Sequence, residues 1–136
     1  MAYRFEKLVV WQKAMAFCGS VYEKTKQFPK DELYGMTSQL RRAATSIPLN
    51  IAEGSACKTK REFIQFLYVA LRSLYEVVTI IRLAHQLRYL DASAHRELEA
   101  QISGIGRLLQ ALINAMQTIP VPKKPESFNQ QPTTNN

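Results

Sequence analysis

The sequence predicts an all-α protein: an antiparallel up-down-up-down four-helix bundle with a kink in helix 2 and a flexible C-terminal tail. Three observations predict it. Apolar residues recur at steps of three and four along four long segments. Helix breakers are scarce, with five glycines and six prolines in 136 residues, and three of those prolines (Pro122, Pro125, Pro132) lie near the C-terminus. The segments are joined by short turns, which makes neighbours antiparallel. At 46% hydrophobic and 21% charged, the chain can build one packed core, expected over residues 1–118.

Helix 1 is expected over residues 5–27. Leu8, Trp11, Met15, Cys18 and Tyr22 fall on one face by their spacing and are assigned to the core. Phe28-Pro29 stops the helix, since a residue before proline is pushed out of α geometry. Helix 2 is expected to start at Asp31-Glu32, acidic residues suited to a helix N-terminus. Its apolar stripe is Met36, Leu40, Ala43, Ala44, Ile47 and Ile51. Pro48 removes the hydrogen bond to the Ala44 carbonyl, but the stripe resumes in register, so the helix should continue, kinked, to about Ser55.

Helix 3 opens on a capping box, Thr59-Lys60-Arg61-Glu62. Phe63, Leu67, Ala70, Leu74, Val77, Ile81 and Ala84 follow as its core face. After the turn Arg88-Tyr89-Leu90-Asp91, helix 4 is capped by Asp91 and buries Leu98, Ile102, Ile105, Leu109, Leu112 and Met116. Gly104 and Gly106 are expected to admit a neighbouring helix closely, and Pro120 ends the helix. Residues 119–136, rich in Pro, Asn, Gln and Thr, read as a flexible tail.

The composition argues against several functions. No apolar stretch is expected to cross a bilayer, and the N-terminus lacks the pattern of a signal peptide, so a cytoplasmic protein with reduced thiols and no membrane partner is expected. No P-loop, GxGxxG or GxSxG motif is present, and no cofactor is called for. His85 and His95 fit neither an HxxxH nor an ExxH pair and read as half-exposed polar residues. Cys18 reads as a core thiol. Cys57 has Lys58 and Lys60 beside it but no positioned histidine. The expectation is a protein that is not an enzyme.

Helix 2 is unusual. Gln39, Arg42, Ser46, Asn50 and Glu53 share one narrow polar arc beside the apolar stripe, and the remaining face is mostly small or neutral. A helix so poor in charge is expected to be covered on more sides than a lone bundle covers, which points to self-association. For the polar arc, the preferred reading is an internal network of these five residues with Glu76 of helix 3. The alternative is a ligand site at Arg42, Asn50 and Glu53.

The segment Gln39-Leu40-Arg41-Arg42-Ala43-Ala44-Thr45-Ser46-Ile47-Pro48-Leu49-Asn50-Ile51-Ala52-Glu53-Gly54 resembles the signature of the four-helix bundle family encoded in intervening sequences of 23S ribosomal RNA genes. The lead-in Phe5…Leu8-Val9-Val10-Trp11 fits as well, as do Phe28-Pro29…Glu32-Leu33-Tyr34-Gly35 and Glu62-Phe63…Phe66-Leu67…Ala70…Ser73-Leu74…Glu76. Arg72 departs from the family, which usually has Gly before this Ser, and adds a positive charge. The resemblance implies a ring, typically a pentamer. It also implies kinship with the accessory variability proteins of diversity-generating retroelements, which bind nucleic acid and a reverse transcriptase.

The formal charge of +7 and a pI near 9.6 favour a polyanionic partner. Five copies would pool about +35, each phosphate contact steepening the salt dependence. The expected function is nucleic-acid binding, RNA before DNA and structured RNA in particular, as an accessory subunit of a ribonucleoprotein or reverse-transcriptase complex. The candidate contacts are Lys13, Lys24, Lys26 and Lys30 on helix 1, Arg41 on helix 2, and Lys58, Lys60 and Arg61 at the start of helix 3. The competing expectation is a protein-interaction scaffold with no direct nucleic-acid contact.

Overall fold

The computed structural model describes residues 2–117, and the expected tail at 119–136 lies outside them. The main helices are α1 (Val9–Thr25), α2 (Ser38–Ser55), α3 (Lys60–Gln86) and α4 (Ala92–Gln117). Each packs on the next and α4 closes against α1, so the four surround one core, as the sequence predicts.

α1 is shorter than expected. A 3₁₀ turn at Arg4–Lys7 precedes it, and Arg4 donates to the Ser55 carbonyl at 3.1 Å, tying the N-terminus to the end of α2. Its core face also differs. Val10, Ala14, Phe17, Cys18 and Val21 are buried, whereas Met15 and Tyr22 are about half exposed and Leu8 and Trp11 only partly covered. α1 thus carries two apolar stripes. Of the expected one, only Cys18 is fully in the core.

α2 does not start at Asp31-Glu32. Those residues sit in a 3₁₀ turn (Lys30–Glu32), followed by a π turn (Leu33–Thr37) in which Gly35 leaves helical geometry at φ −115°, ψ −111°. The Glu32 carboxylate accepts from the Met36 amide at 3.0 Å and caps the segment instead. From Ser38 the helix continues through Pro48 and ends at Ser55, where the sequence places its end. The carbonyl of Ala44, deprived of its helical donor by Pro48, is supplied by the Cys18 thiol at 3.3 Å. Burial pushes that thiol up to about 11, so at neutral pH it keeps the proton it donates.

α3 begins on the expected capping box, with the Glu62 amide donating to Thr59 Oγ1 at 3.1 Å and the Thr59 amide to Glu62 Oε1 at 3.4 Å. Its 27 residues, with a mean hydropathy of 1.5 over the most apolar window, are long and apolar enough to cross a membrane, contrary to the sequence expectation. In the bundle the apolar stripe is instead used against α2 and α4. The helix ends in a Schellman motif. Arg88 takes φ 67°, the Tyr89 amide donates to the Ala84 carbonyl at 2.8 Å, and the Arg88 amide to His85 at 3.0 Å.

Asp91 caps α4 as expected, accepting from the Ala94 amide at 2.8 Å. Leu98, Ile102, Ile105 and Leu109 are buried, but Ile113 completes the row while Leu112 and Met116 are only partly covered. The two glycines differ. A methyl group on Gly106 would meet Leu74 Cδ2 at 3.2 Å, whereas one on Gly104 would have nothing within 4 Å among the described residues. The close approach falls on Gly54, where a Cβ would stand 2.7 Å from Phe66 Cβ and 2.8 Å from Phe63 Cδ1.

Candidate functional site

The polar arc of α2 is only partly a network. Ser46 and Ser73 share a hydrogen bond at 2.8 Å across the α2–α3 contact, and Asn50 Nδ2 donates to Ser46 Oγ at 3.0 Å. Both serines and Asn50 are largely shielded, which is why their polar groups are paired. Gln39, Arg42, Glu53 and Glu76 do not join. All four are exposed, and none makes a side-chain hydrogen bond or ion pair among the described residues. Open to water, these groups need no internal partner, so nothing drives the larger network. Arg42 instead lines a depression with Tyr22, Leu33, Tyr34 and Arg41.

The expected cationic contacts divide in the same way. Lys24 is committed to Glu97 at 3.0 Å, with its side chain only 17% exposed. Lys26 pairs with Glu23 at 3.4 Å. Arg41 donates to Thr25 Oγ1 at 2.9 Å and lies 4.5 Å above the centre of the Tyr22 ring, so it is built into the α1–α2 contact. Lys13, Lys30, Lys58, Lys60 and Arg61 are exposed with no side-chain partner among the described residues. Lys58, Lys60 and Arg61 gather at the α2–α3 turn. Lys26 and Lys30 sit at the other end of the bundle, one length of α1 away, roughly 25 Å.

The second apolar stripe of α1 meets the charge-poor face of α2 on the outside of the bundle. Phe5, Trp11, Met15, Thr45, Pro48, Leu49 and Ala52, with the edge of Cys18, line an apolar groove of about 410 Å³. Phe5 and Trp11 pack edge to face with centroids 5.0 Å apart. Leu49 is 57% exposed, Met15 47% and Tyr34, further along the same face, 92%. The sequence assigns Trp11, Met15 and Tyr22 to the core, whereas the structure turns them toward this outer face. The signal was present: Val10, Ala14, Phe17 and Val21 form a rival stripe on the same helix, and only one of the two can face the core.

His85 and His95, ten residues apart in sequence, are brought together in space. Their rings stack with centroids 4.0 Å apart, and His95 Nε2 lies 3.1 Å from Glu99 Oε2. The Arg82 guanidinium, hydrogen-bonded to Glu99 at 3.1 and 3.3 Å, holds that carboxyl below the usual carboxylate range. Among the described residues, no group of three or more His, Cys, Asp or Glu side chains is arranged to hold a metal ion. The Cys57 thiol donates to the Glu53 carbonyl at 3.6 Å.

The family described as 23S rRNA-intervening sequence protein matches residues 6–111, most of the chain. The protein belongs to that family. A similar solved structure is the 1.70 Å crystal structure of a protein of unknown function from the S23 ribosomal protein family of Bacteroides thetaiotaomicron. It is 23% identical, with a TM-score of 0.72 over 78% of this chain and 96% of that one. The likeness is one of fold. Among curated proteins, none matches. Within the family signature, the residues that carry structure are now distinguishable: Pro48 with Ala44 and Cys18, Ser46 with Ser73 and Asn50, and Gly54 against Phe63 and Phe66. Leu49 and Ala52 of the same segment face outward.

Proposed function

We propose that this protein is a non-catalytic, basic, ring-forming accessory protein that binds nucleic acid, RNA before DNA, within a ribonucleoprotein or reverse-transcriptase complex. The observation that carries the proposal is the outward apolar face of α1 and α2. Contiguous apolar surface of this kind on a folded protein marks an interaction site. Its most economical occupant is a different face of another copy, since Leu49, Trp11 and Met15 offer apolar surface and no charge and a head-to-tail contact can close into a ring. A closed ring of copies, a pentamer by the resemblance above, multiplies a charge of +7 per chain. The free cations at the α2–α3 turn are then repeated around the ring, supporting contacts to phosphates rather than to base sequence.

Two measurements test this. Sedimentation should give an oligomer for the native protein, and Leu49→Glu should reduce it to the 15.5 kDa chain without loss of helix. Binding of structured RNA, followed at two salt concentrations, should weaken steeply as salt rises. A native protein that sediments as a single chain, or that ignores RNA at low salt, overturns the proposal. The scaffold reading has one observation in its favour, the engagement of Lys24, Lys26 and Arg41 within the protomer. It predicts a co-purifying protein that survives nuclease treatment.

A further inference from the structure

The face opposite the apolar groove, formed by α3 and α4, has a different chemistry. On α3, Arg61, Tyr68, Arg72, Tyr75, Thr79 and Arg82 lie within an arc of about 80°, taking 100° per residue. All six are exposed, Tyr75 by 65% and Tyr68 by 36%. Two cross-links place this arc beside α4: Gln117 Nε2 donates to the Tyr68 hydroxyl at 3.3 Å, and Arg82 is paired with Glu99. Between those anchors α4 exposes Ser103 and Arg107, which are hydrogen-bonded to each other at 2.7 Å.

The cations here are all arginines. Glu99 is already committed to Arg82, and Glu76 lies at the far edge toward α2. Arg72 has no partner among the described residues. A solvated helix face needs charge, but it does not need two tyrosines interleaved with arginines. That combination suits a strand whose phosphates meet guanidinium groups and whose bases stack on aromatic rings. Tyr68 and Tyr75 are seven residues apart, about 10 Å along the helix, or the rise of three stacked bases at about 3.4 Å each. The face lies across the bundle from the groove, so a copy seated in that groove does not cover it.

We infer that the α3–α4 face is a track for unpaired nucleotides, with Tyr75 the principal stacking platform and Arg72 a phosphate contact. The inference rests on the nucleic-acid reading above and adds where the strand lies and why it must be unpaired.

The test uses the full chain, a short unstructured RNA strand labelled at its 5′ end, and the same strand annealed to its complement. By fluorescence anisotropy at low salt, Tyr75→Ala should weaken single-strand binding about ten-fold, while Tyr75→Phe stays within about two-fold. Arg72→Gln should reduce the salt slope by about 0.7. Duplex binding should be weaker and indifferent to Tyr75. Thermal melts of the exposed-site variants should match the native protein. Tyr75→Ala binding the strand like the native protein overturns the inference. So does duplex binding as tight as single-strand binding, or a Tyr75→Ala effect confined to oligomeric state. If a Lys58→Gln/Lys60→Gln variant weakens binding while Tyr75→Ala does not, the nucleic-acid reading stands and this track falls. If the native protein binds neither strand nor duplex but retains acidic polypeptide such as polyglutamate, both fall.

Discussion

Replacing Gly54 with alanine sets two effects of opposite sign against each other. In a free helix the change is favourable by about 1 kcal/mol, because alanine has less backbone entropy to lose. In the bundle the added methyl would stand 2.7 Å from Phe66 Cβ and 2.8 Å from Phe63 Cδ1. Ordinary carbon contacts lie near 3.5–4.0 Å, so the surfaces must part by roughly 1 Å. Phe63 can swing its ring aside. The Phe66 contact is with a Cβ, which moves only if the backbone of α3 moves. Overpacking of this kind costs up to about 3 kcal/mol, leaving a net loss of about 2 kcal/mol for Gly54→Ala. At about 4 °C per kcal/mol for a chain of this size, the melting temperature should fall by about 8 °C. Urea unfolding followed by circular dichroism, at one fixed protein concentration, measures this directly. Gly104→Ala is the matched control, since nothing among the described residues lies within 4 Å of the added methyl, and it should gain up to about 1 kcal/mol. A Gly54→Ala protein as stable as the native one would refute the close α2–α3 approach.

Three further outcomes are expected. The Cys18 thiol, ordinarily near 9.0, is pushed up to about 11 by burial, so the unfolded chain loses this proton first as pH rises. The stability it contributes is therefore full below pH 9 and is lost between 9 and 11, by at most about 1.4 kcal/mol per pH unit. Cys18→Ala should flatten that decline in urea titrations at alkaline pH, and should cost about 1 kcal/mol at neutral pH by leaving the Ala44 carbonyl without a donor. Arg88→Gly should raise stability by about 0.5–1 kcal/mol, because φ 67° strains an arginine and not a glycine, and a lower melting temperature would contradict the Schellman turn. Ser46→Ala should cost about 1–2 kcal/mol by stranding the Ser73 hydroxyl, with Ser46→Ala/Ser73→Ala recovering most of it in a double-mutant cycle.

The parts legible beforehand are those whose causes are local. The Thr59–Glu62 box and the Asp91 cap bond groups three residues apart, so sequence spacing alone locates both. The core rows of α3 and α4 were legible for the same reason, except at the end of α4, where Ile113 displaces Leu112. The orientation of α1 is not legible, because periodicity says which residues share a face, not which way the face looks. The candidate site was harder still. Of the eight basic residues expected to meet nucleic acid, Lys24 and Arg41 are engaged by partners on other helices that the sequence did not reveal, whereas Lys26 pairs with Glu23 only three residues away. Lys24 and Glu97 are far apart along the chain.

An all-α bundle, a strongly basic chain and helix boundaries to about a turn, the start of α2 excepted, follow from the sequence alone. These depend on backbone propensity, capping and composition, which act over a few residues or on the total. Packing of the helices settles which stripe of α1 faces out, that Cys18 serves the carbonyl orphaned by Pro48, that His85 stacks on His95, and that the Tyr68–Tyr75 face of α3 lies across from the apolar groove. Each depends on two helices meeting at a particular rotation. The free energy that sets the rotation comes from packing many side chains at once, and no local spacing encodes it.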